Sequence, residues 1–600
     1  MLMLLGTATG AAYNVSGTIS CDGRGVANVA VSDGYEVVLT DANGYYAMSS
    51  SKLNGYVFYT LPGGYEPELA DGFNPQFWAP LDSRDITVDE THDFTLRRVD
   101  NDRHQVIFIA DTHLARRNSD RTYFKKGLIA SLNDEVEQAA GSPIYSVMLG
   151  DLTWDVFWTQ NNYNLHDFMA DMKYYKYPMT LWPVIGNHDH DPSVPAGENT
   201  DFEAAGAWRD IVCPNYYSFN LGKVHYVVLD DIYYLNIAYD GETYSEGVAG
   251  SRNYRGTIIT DQMQWLRKDL ALVDYNTPVV VCIHIPAWSM NSDFTCSPRL
   301  DNTYTLCSLL NKYGEAHIVS GHNHCNYTVR PPAYPHVTEH NVASTCGSLW
   351  QTAVFTGHHV CQDGSPAGYM RWSINDRDLQ WSFKAIHEGE RQMRLYDMNT
   401  VRDFYRTNSS IRGILHDYSS RVDYSNIADN TLMINVFAYA PGWQVSVCEG
   451  NEAIPCERVY DEDPFHTLAY DVACYSIYGN YSYYYATTPT THLFKAQAST
   501  ATEPITVRVV DTFGNIYLQT ISRPHRYSIN MEKNEKTLVS GDVNADGEIN
   551  VADVNTVIDF MMSDRYSCPF VLADCNADNE VNIADVNMII HLIINSSTRL

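Results

Sequence analysis

The sequence predicts a multidomain chain: an α/β core between two β-rich modules, closed at the C-terminus by a small helical module. Three observations carry this reading. Short strand-like runs between turn signals fill residues 13–98 and return over 388–524. Between them, over 104–386, strand-length apolar runs alternate with helical periodicity. The tail, 541–600, contains an acidic segment that recurs 32 residues later.

Composition narrows the function classes. The 600 residues carry 40 Lys+Arg against 72 Asp+Glu, a formal net charge of −32. Such a chain repels a polyphosphate, so no nucleic-acid polymer is expected as a partner. Apolar residues make up 45% and charged ones 19%, a globular balance. The 43 Tyr suit β-rich, exported modules. No apolar run reaches the ~18 residues of a spanning helix, so no integral membrane protein is expected.

The first twelve residues, MLMLLGTATGAA, are similar to the end of a secretory leader, a short apolar core followed by small residues. A partial signal peptide over 1–12 predicts export, to an extracellular, cell-surface or periplasmic location. The thirteen Cys include no C-x-x-C pair, so thiolate zinc sites lack support. Cys448/Cys456 and Cys568/Cys575 are near enough in sequence to be disulfides in an oxidising compartment. Cys282 and Cys325 read as buried thiols.

Within 13–98 the strand-like run 35–39 lies between turn signals at Asp22-Gly23, Asp41-Ala-Asn-Gly44 and Pro62-Gly-Gly64, the pattern of a small β-sandwich. Residues 25–34 and 40–48, GVANVAVSDG and TDANGYYAM, resemble a carboxypeptidase-regulatory or transthyretin-like module.

In the core, the runs 106–110, 144–149, 181–185, 279–285 and 316–320 are expected strands. A helix is expected over 261–273, with Met263, Leu266, Leu270 and Val273 on one face. Each run ends in, or leads at once to, a cluster of metal-binding residue types. In order these are Asp111-Thr-His113; Gly150-Asp151-Leu-Thr-Trp-Asp155; Gly186-Asn187-His188-Asp189; His284; and Gly321-His322-Asn-His324. Loops at strand ends are where α/β scaffolds converge side chains on one point. Carboxylates, imidazoles and an amide oxygen without thiolate suit hard-to-borderline divalent ions.

This series resembles the calcineurin-like metallophosphoesterases, and so do the connecting segments 215–230 and 261–270. The resemblance implies a four-layer α/β/β/α core and a hydroxide that bridges two divalent transition ions (Mn, Fe or Zn) and attacks phosphorus. It assigns Asp111, His113 and His324 to one metal, Asn187, His284 and His322 to the other, and Asp151 to both. His188 would face the leaving group, oriented by Asp155. Trp154 stands where the related purple acid phosphatases place a ligand Tyr. Val156 and Ile185 stand where protein phosphatases of the family carry phosphate-gripping Arg. Segments 436–443, 463–471, 491–494 and 507–517 are expected strands, similar to the C-terminal β-domain of some bacterial phosphoesterases; 525–540 reads as a polar linker.

In the tail, oxygen-bearing residues fall at loop positions 1, 3, 5, 7, 9 and 12. They are Asp542, Asn544, Asp546, Glu548, Asn550 and Asp553, then Asp574, Asn576, Asp578, Glu580, Asn582 and Asp585. That spacing wraps a Ca²⁺ ion. Helical stripes follow at Val551, Val554, Val557/Ile558 and Met561, and at Ile583, Val586, Ile589/Ile590 and Ile593. With Asp at position 12 and no helix ahead of the first loop, the repeat resembles a type I dockerin, which implies a cohesin-like partner. The expected function is an exported bimetallic hydrolase of a small or medium phosphoester. The alternatives are a phosphodiesterase on nucleotide-like or glycan phosphodiesters, and a non-catalytic adaptor.

Overall fold

A computed structural model describes residues 13–241, 244–531, 535–562, 568–578 and 580–597. The leader-like segment 1–12 lies outside the described residues. Two sheets organise the core. The first runs, in spatial order, Thr180–Val184, Ile144–Leu149, Arg103–Ile109, Gly368–Asn375 and Asp378–Ala385. Its first three strands are parallel and the last two form an antiparallel hairpin on its edge. The second runs Tyr217–Leu221, Val224–Val228, Val279–Cys282, Ala316–Ser320, Val337–Asn341 and Tyr327–Val329, the middle four parallel.

All five expected core strands are present, and the expected helix spans Thr260–Leu270. Their continuous apolar runs follow from burial on both faces. Inside, the sheets meet through a His104–Tyr226 hydrogen bond of 3.1 Å and Trp372 packed against His317 and His340. Outside, helix Ala130–Gln138 reaches Tyr369 through Ser131 and Glu135. Helix Thr260–Leu270 reaches Ser218 and His225 through Asp269. Helix, sheet, sheet, helix is the expected four-layer order.

The N-terminal strands form a sandwich that shares one apolar cluster with the core. Phe58 packs on Trp265 and Phe77 on Trp182, and Thr60 bonds Ser218 at 2.9 Å.

The C-terminal region departs from expectation in three places. Segment 436–443 connects strands Thr431–Val436 and Gln444–Glu449 and is not itself a strand. Segment 463–471 is helical, because Asp463 caps the His466 amide at 3.0 Å and Pro464 takes the first helical position. Segment 507–517 spans the turn of a hairpin, Ile505–Val510 with Ile516–Ile521. Part of the expected linker is also a strand: Glu535–Leu538 pairs with Ile516–Ile521 and satisfies an otherwise open sheet edge. All thirteen cysteines are thiols, with no disulfide. Cys448 and Cys456 face different apolar clusters, so that pair is not formed.

The tail folds as helices Val551–Met562, Phe570–Ala573 and Ile583–Ser597. Each expected stripe divides in two. Val557, Val586 and Ile589 are buried, whereas Val551, Ile558, Met561, Ile583 and Ile590 are exposed. Among the described residues no helix is long and apolar enough to cross a membrane.

Candidate metal centre

The site lies where the C-terminal ends of both central sheets converge. The first sheet delivers Asp111, His113, Asp151 and Asn187; the second delivers His284, His322 and His324. Tight turns are needed to aim so many side chains inward. Asp111, His113, Asp151, His322 and His324 all have φ between 43° and 68°, sparsely populated values that cluster at functional sites. Gly150 (φ +90°) and Gly186 allow the loops to touch. A Cβ on Gly150 would meet the His284 ring at 2.4 Å, and one on Gly186 would meet the Asp151 amide at 2.2 Å.

Three ligand groups, each within 4.8 Å internally, overlap: Asp111/His113/His324, Asp151/His284/His322, and His113/Asp151/His188. His113 Nε2 lies 3.0 Å from His324 Nε2, and His324 Nε2 lies 3.3 Å from Asp111 Oδ1. On the other side His284 Nε2 lies 3.0 Å from Asn187 Oδ1, 3.1 Å from His322 Nδ1 and 3.2 Å from Asp151 Oδ2. Asp151 Oδ2 is also 3.5 Å from His113 Nε2, so it faces both groups. Atoms sharing one cation at 2.0–2.2 Å stand about 3.0–3.6 Å apart, which these spacings match. All seven expected metal ligands therefore converge.

Electrostatics point the same way. Asp111 and Asp151 are buried, and among the described residues neither pairs with Lys or Arg. Burial alone would depress the His284 imidazole, but Asp151 outweighs it and His284 is pushed up to about 10. Burial opposes the Asp151 charge, yet the neighbouring imidazoles hold its carboxyl well below its ordinary range. The carboxylates thus demand positive charge, which divalent cations would supply. His113 and His322 are driven the other way, chiefly by burial, which at His113 outweighs the opposing pull of Asp151. The His113 Nδ1 atom is buried with no hydrogen-bond partner among the described residues. The residues fit a pair of divalent ions.

Supporting contacts fix orientation. The His284 Nδ1–H donates to the Leu149 carbonyl at 2.7 Å, which turns Nε2 toward the cluster. The His322 amide donates to Asp111 at 2.9 Å and ties the two sheets together. Trp350 Nε1–H donates to the Thr112 carbonyl at 3.0 Å beneath the first loop.

His188 and Asp155 meet as expected, Nδ1 to Oδ1 at 2.7 Å. Burial disfavours the His188 cation, but Asp151 and Asp155 raise its pKa overall. His188, His322 and His324 are half-buried and mark the open side of the site.

Several residues escaped the sequence reading. Arg252 Nη1 donates to the same Asp155 oxygen at 2.7 Å. It stands on an irregular segment with no motif to flag it. Tyr254 lies 3.5 Å from His322 through its hydroxyl. Asp231 accepts the His284 amide at 3.2 Å. His190 is buried: Nδ1 bonds the Gly186 carbonyl at 2.9 Å, and the ring stacks on Tyr234.

Asp189, visible in the Gly-Asn-His-Asp run, clamps two loops. Its carboxylate accepts from the Leu152, Thr153 and Gly186 amides at 3.0–3.1 Å. Asp189→Ala leaves those buried donors unpaired, at about 1–3 kcal/mol each. A large fall in the thermal transition is expected, with loss of bound metal; an unchanged transition would show that the clamp is dispensable.

In the tail, both loops show one pattern. Asp553 accepts the Asn544 and Asn550 amides at 3.0 and 2.9 Å; Asp585 accepts those of Asn576 and Asn582 at 3.1 and 2.8 Å. Asp542, Asp553, Asp574 and Asp585 are buried, two carboxylates per loop, whereas Asn544, Asp546, Glu548, Asp578 and Glu580 are exposed. Asn550, Asn576 and Asn582 are half-buried. Paired buried carboxylates in such a turn fit a calcium ion.

Comparison with known proteins gives four family matches. The model for calcineurin-like phosphoesterase matches residues 104–326. Those for its N terminal and C terminal match 13–99 and 339–517. The type I dockerin domain matches 540–594. No curated protein matches the sequence. Similar solved structures include a dimetal phosphatase from Danio rerio, 15% identical, covering 46% of this chain and 98% of that one, with a TM-score of 0.29. Another is GAP50, the anchor in the inner membrane complex of Plasmodium, 12% identical, covering 48% and 86%, with a TM-score of 0.27. A third is a 5'-nucleotidase from Candida albicans, 10% identical, covering 47% and 52%, with a TM-score of 0.27.

Proposed function

The chain belongs to the calcineurin-like phosphoesterases and ends in a type I dockerin, and from that premise we propose an exported hydrolase of small phosphoesters, tethered through its tail. Membership makes it a metal-dependent phosphoesterase with a calcium-binding module for a cohesin. The finer reading rests chiefly on one observation: Asp151 stands between the Asp111/His113/His324 group and the His284/His322 group, 3.5 Å from His113 and 3.2 Å from His284.

In this reading Asp111, His113 and His324 hold one divalent ion, Asn187, His284 and His322 the other, and Asp151 both. Bound there, the ions supply a water nucleophile at neutral pH and neutralise phosphoryl oxygens. The chain's own residues do the rest. Asp151 and Asp111 fix the charge of the pocket. His188, held by Asp155, stands on the open side, where a leaving oxygen can take its proton. The complete ligand set supports an enzyme over an adaptor.

The leaving-group side is built by residues outside the motif. Arg252 is half-buried beside His188. Tyr484, from the C-terminal region, has its carbonyl pinned by Gln362 at 2.6 Å while 67% of its surface stays exposed. Half-buried Tyr254 adds a second ring, its hydroxyl 3.5 Å from His322. A cationic, aromatic rim inside a strongly acidic molecule favours small esters over long polyanions. Arg252→Met should lower kcat/KM by about 10–100-fold, the weight of a lost charge-assisted hydrogen bond. Normal kinetics in that variant would remove Arg252 from the substrate path.

Export is supported by the leader-like start and by the dockerin, whose partners work in extracellular complexes. Deleting 539–600 should leave hydrolysis intact and abolish capture by a cohesin. The whole reading is tested with chromogenic mono- and diesters on metal-stripped protein given Mn²⁺, Zn²⁺ or Fe²⁺. Hydrolysis restored by metal supports it; none with any ion or ester removes it.

A further inference from the structure

Strand Ile505–Val510 alternates as a sandwich strand should: Ile505, Val507 and Val509 enter the β-domain core, and Thr506 and Arg508 take the outer face. An Arg on such a face is normally solvated. Here its side chain is only 3% exposed, because the dockerin lies over it.

Arg508 Nη1 donates to Asp574 Oδ2 at 2.9 Å, and the Asp574 side chain is fully buried. Asp574 opens the second acidic loop. Among the described residues the Nε and Nη2 groups of Arg508 are buried without partners, and Asp574 is the anion paired with this cation.

Around the ion pair, Cys448, Leu518 and Leu538 of the β-domain share an apolar cluster with Val571, Leu572, Phe560 and Ile589 of the dockerin. The Cys448 thiol meets the Phe570 and Val571 amides. Little slack separates the modules, since strand Glu535–Leu538 ends four residues before Asp542.

We propose that the second loop is also the clamp that docks the dockerin on the β-domain within the same chain, with Arg508 as the β-domain's contribution, so that calcium binding and docking are one event. This rests on reading the two loops as calcium sites. Without a cation the loop carboxylates repel and the loop opens. Asp574 then leaves Arg508, and a buried unpaired cation no longer tolerates the apolar contact around it. Calcium thereby controls how rigidly the partner-binding module is carried by the catalytic half of the chain.

Three thiols report the outcome. Cys448 is buried on the β-domain side of the contact, and Cys568 and Cys575 are buried within the dockerin. Full-length protein is labelled with a thiol reagent in calcium or in chelator, and the sites are read by mass spectrometry. Chelation should speed labelling of Cys448 by about tenfold or more, in step with Cys568 and Cys575, as expected for one cooperative opening. In calcium, Arg508→Met should expose Cys448 while Cys568 and Cys575 stay protected, and Arg508→Lys should restore part of the protection. If chelation exposes Cys568 and Cys575 but not Cys448, the loops bind calcium and the clamp is wrong. If all three stay protected in chelator, the calcium reading itself fails and takes the clamp with it. Wild-type protection of Cys448 in Arg508→Met would likewise overturn the proposal.

Discussion

Replacing Asp151 by Asn should cost more turnover than any other single change in the site, on the order of 10³-fold or more. Changes one shell out typically cost 10–100-fold, and Asp151 stands inside that shell. Its Oδ2 faces His113 at 3.5 Å and His284 at 3.2 Å, and its Oδ1 accepts the His188 amide at 2.8 Å. The substitution removes one of the two carboxylates among the seven candidate ligands and loosens the histidine beside it. Elemental analysis should find fewer than two transition ions per chain. A variant that keeps both ions and near-normal turnover would show that Asp151 does not bridge them.

His188→Ala should separate chemistry from metal binding. The His188 Nδ1 is taken by Asp155, so the ring is oriented by a carboxylate and stands beside the ligand groups. Both ions should stay bound. Leaving-group protonation is worth about 10²–10⁴-fold, so the loss should be largest for alkyl phosphates and shrink for nitrophenyl esters. Asp155→Asn should follow the same trend more weakly. Wild-type to variant rate ratios across leaving groups of different pKa decide the matter. A flat series would remove His188 as the acid, and lost metal would make it a ligand or a prop, as its grouping with His113 and Asp151 also allows.

The core was legible because its signals are local. A strand that is buried on both faces must be apolar throughout, and the polar residues closing it have no packing role to explain them. That logic identified Asp111, Asp151, Asn187 and His284 in order, and the sheets bring them together. Arg252 and Tyr484 gave no such signal, because their placement is tertiary. One arrives from an irregular segment and the other from a different module. Resemblance to a β-domain predicts a strand at 463–471, whereas Asp463-Pro464 is a helix-start signal and the segment is helical. The strand at Glu535–Leu538 exists only because a sheet edge is there to receive it. The same applies to Arg508, whose alternation predicts solvent and whose burial depends on the dockerin.

The proposed hydrolysis requires two transition ions in this one cluster. The most direct test is elemental analysis of the full chain during stepwise reconstitution with a single ion such as Mn²⁺, with ester hydrolysis measured at each step. The prediction is that activity rises to its plateau as occupancy approaches two Mn²⁺ per chain, and that calcium, bound in the tail, adds nothing to it. Full activity at zero or one ion per chain would overturn the bimetallic assignment.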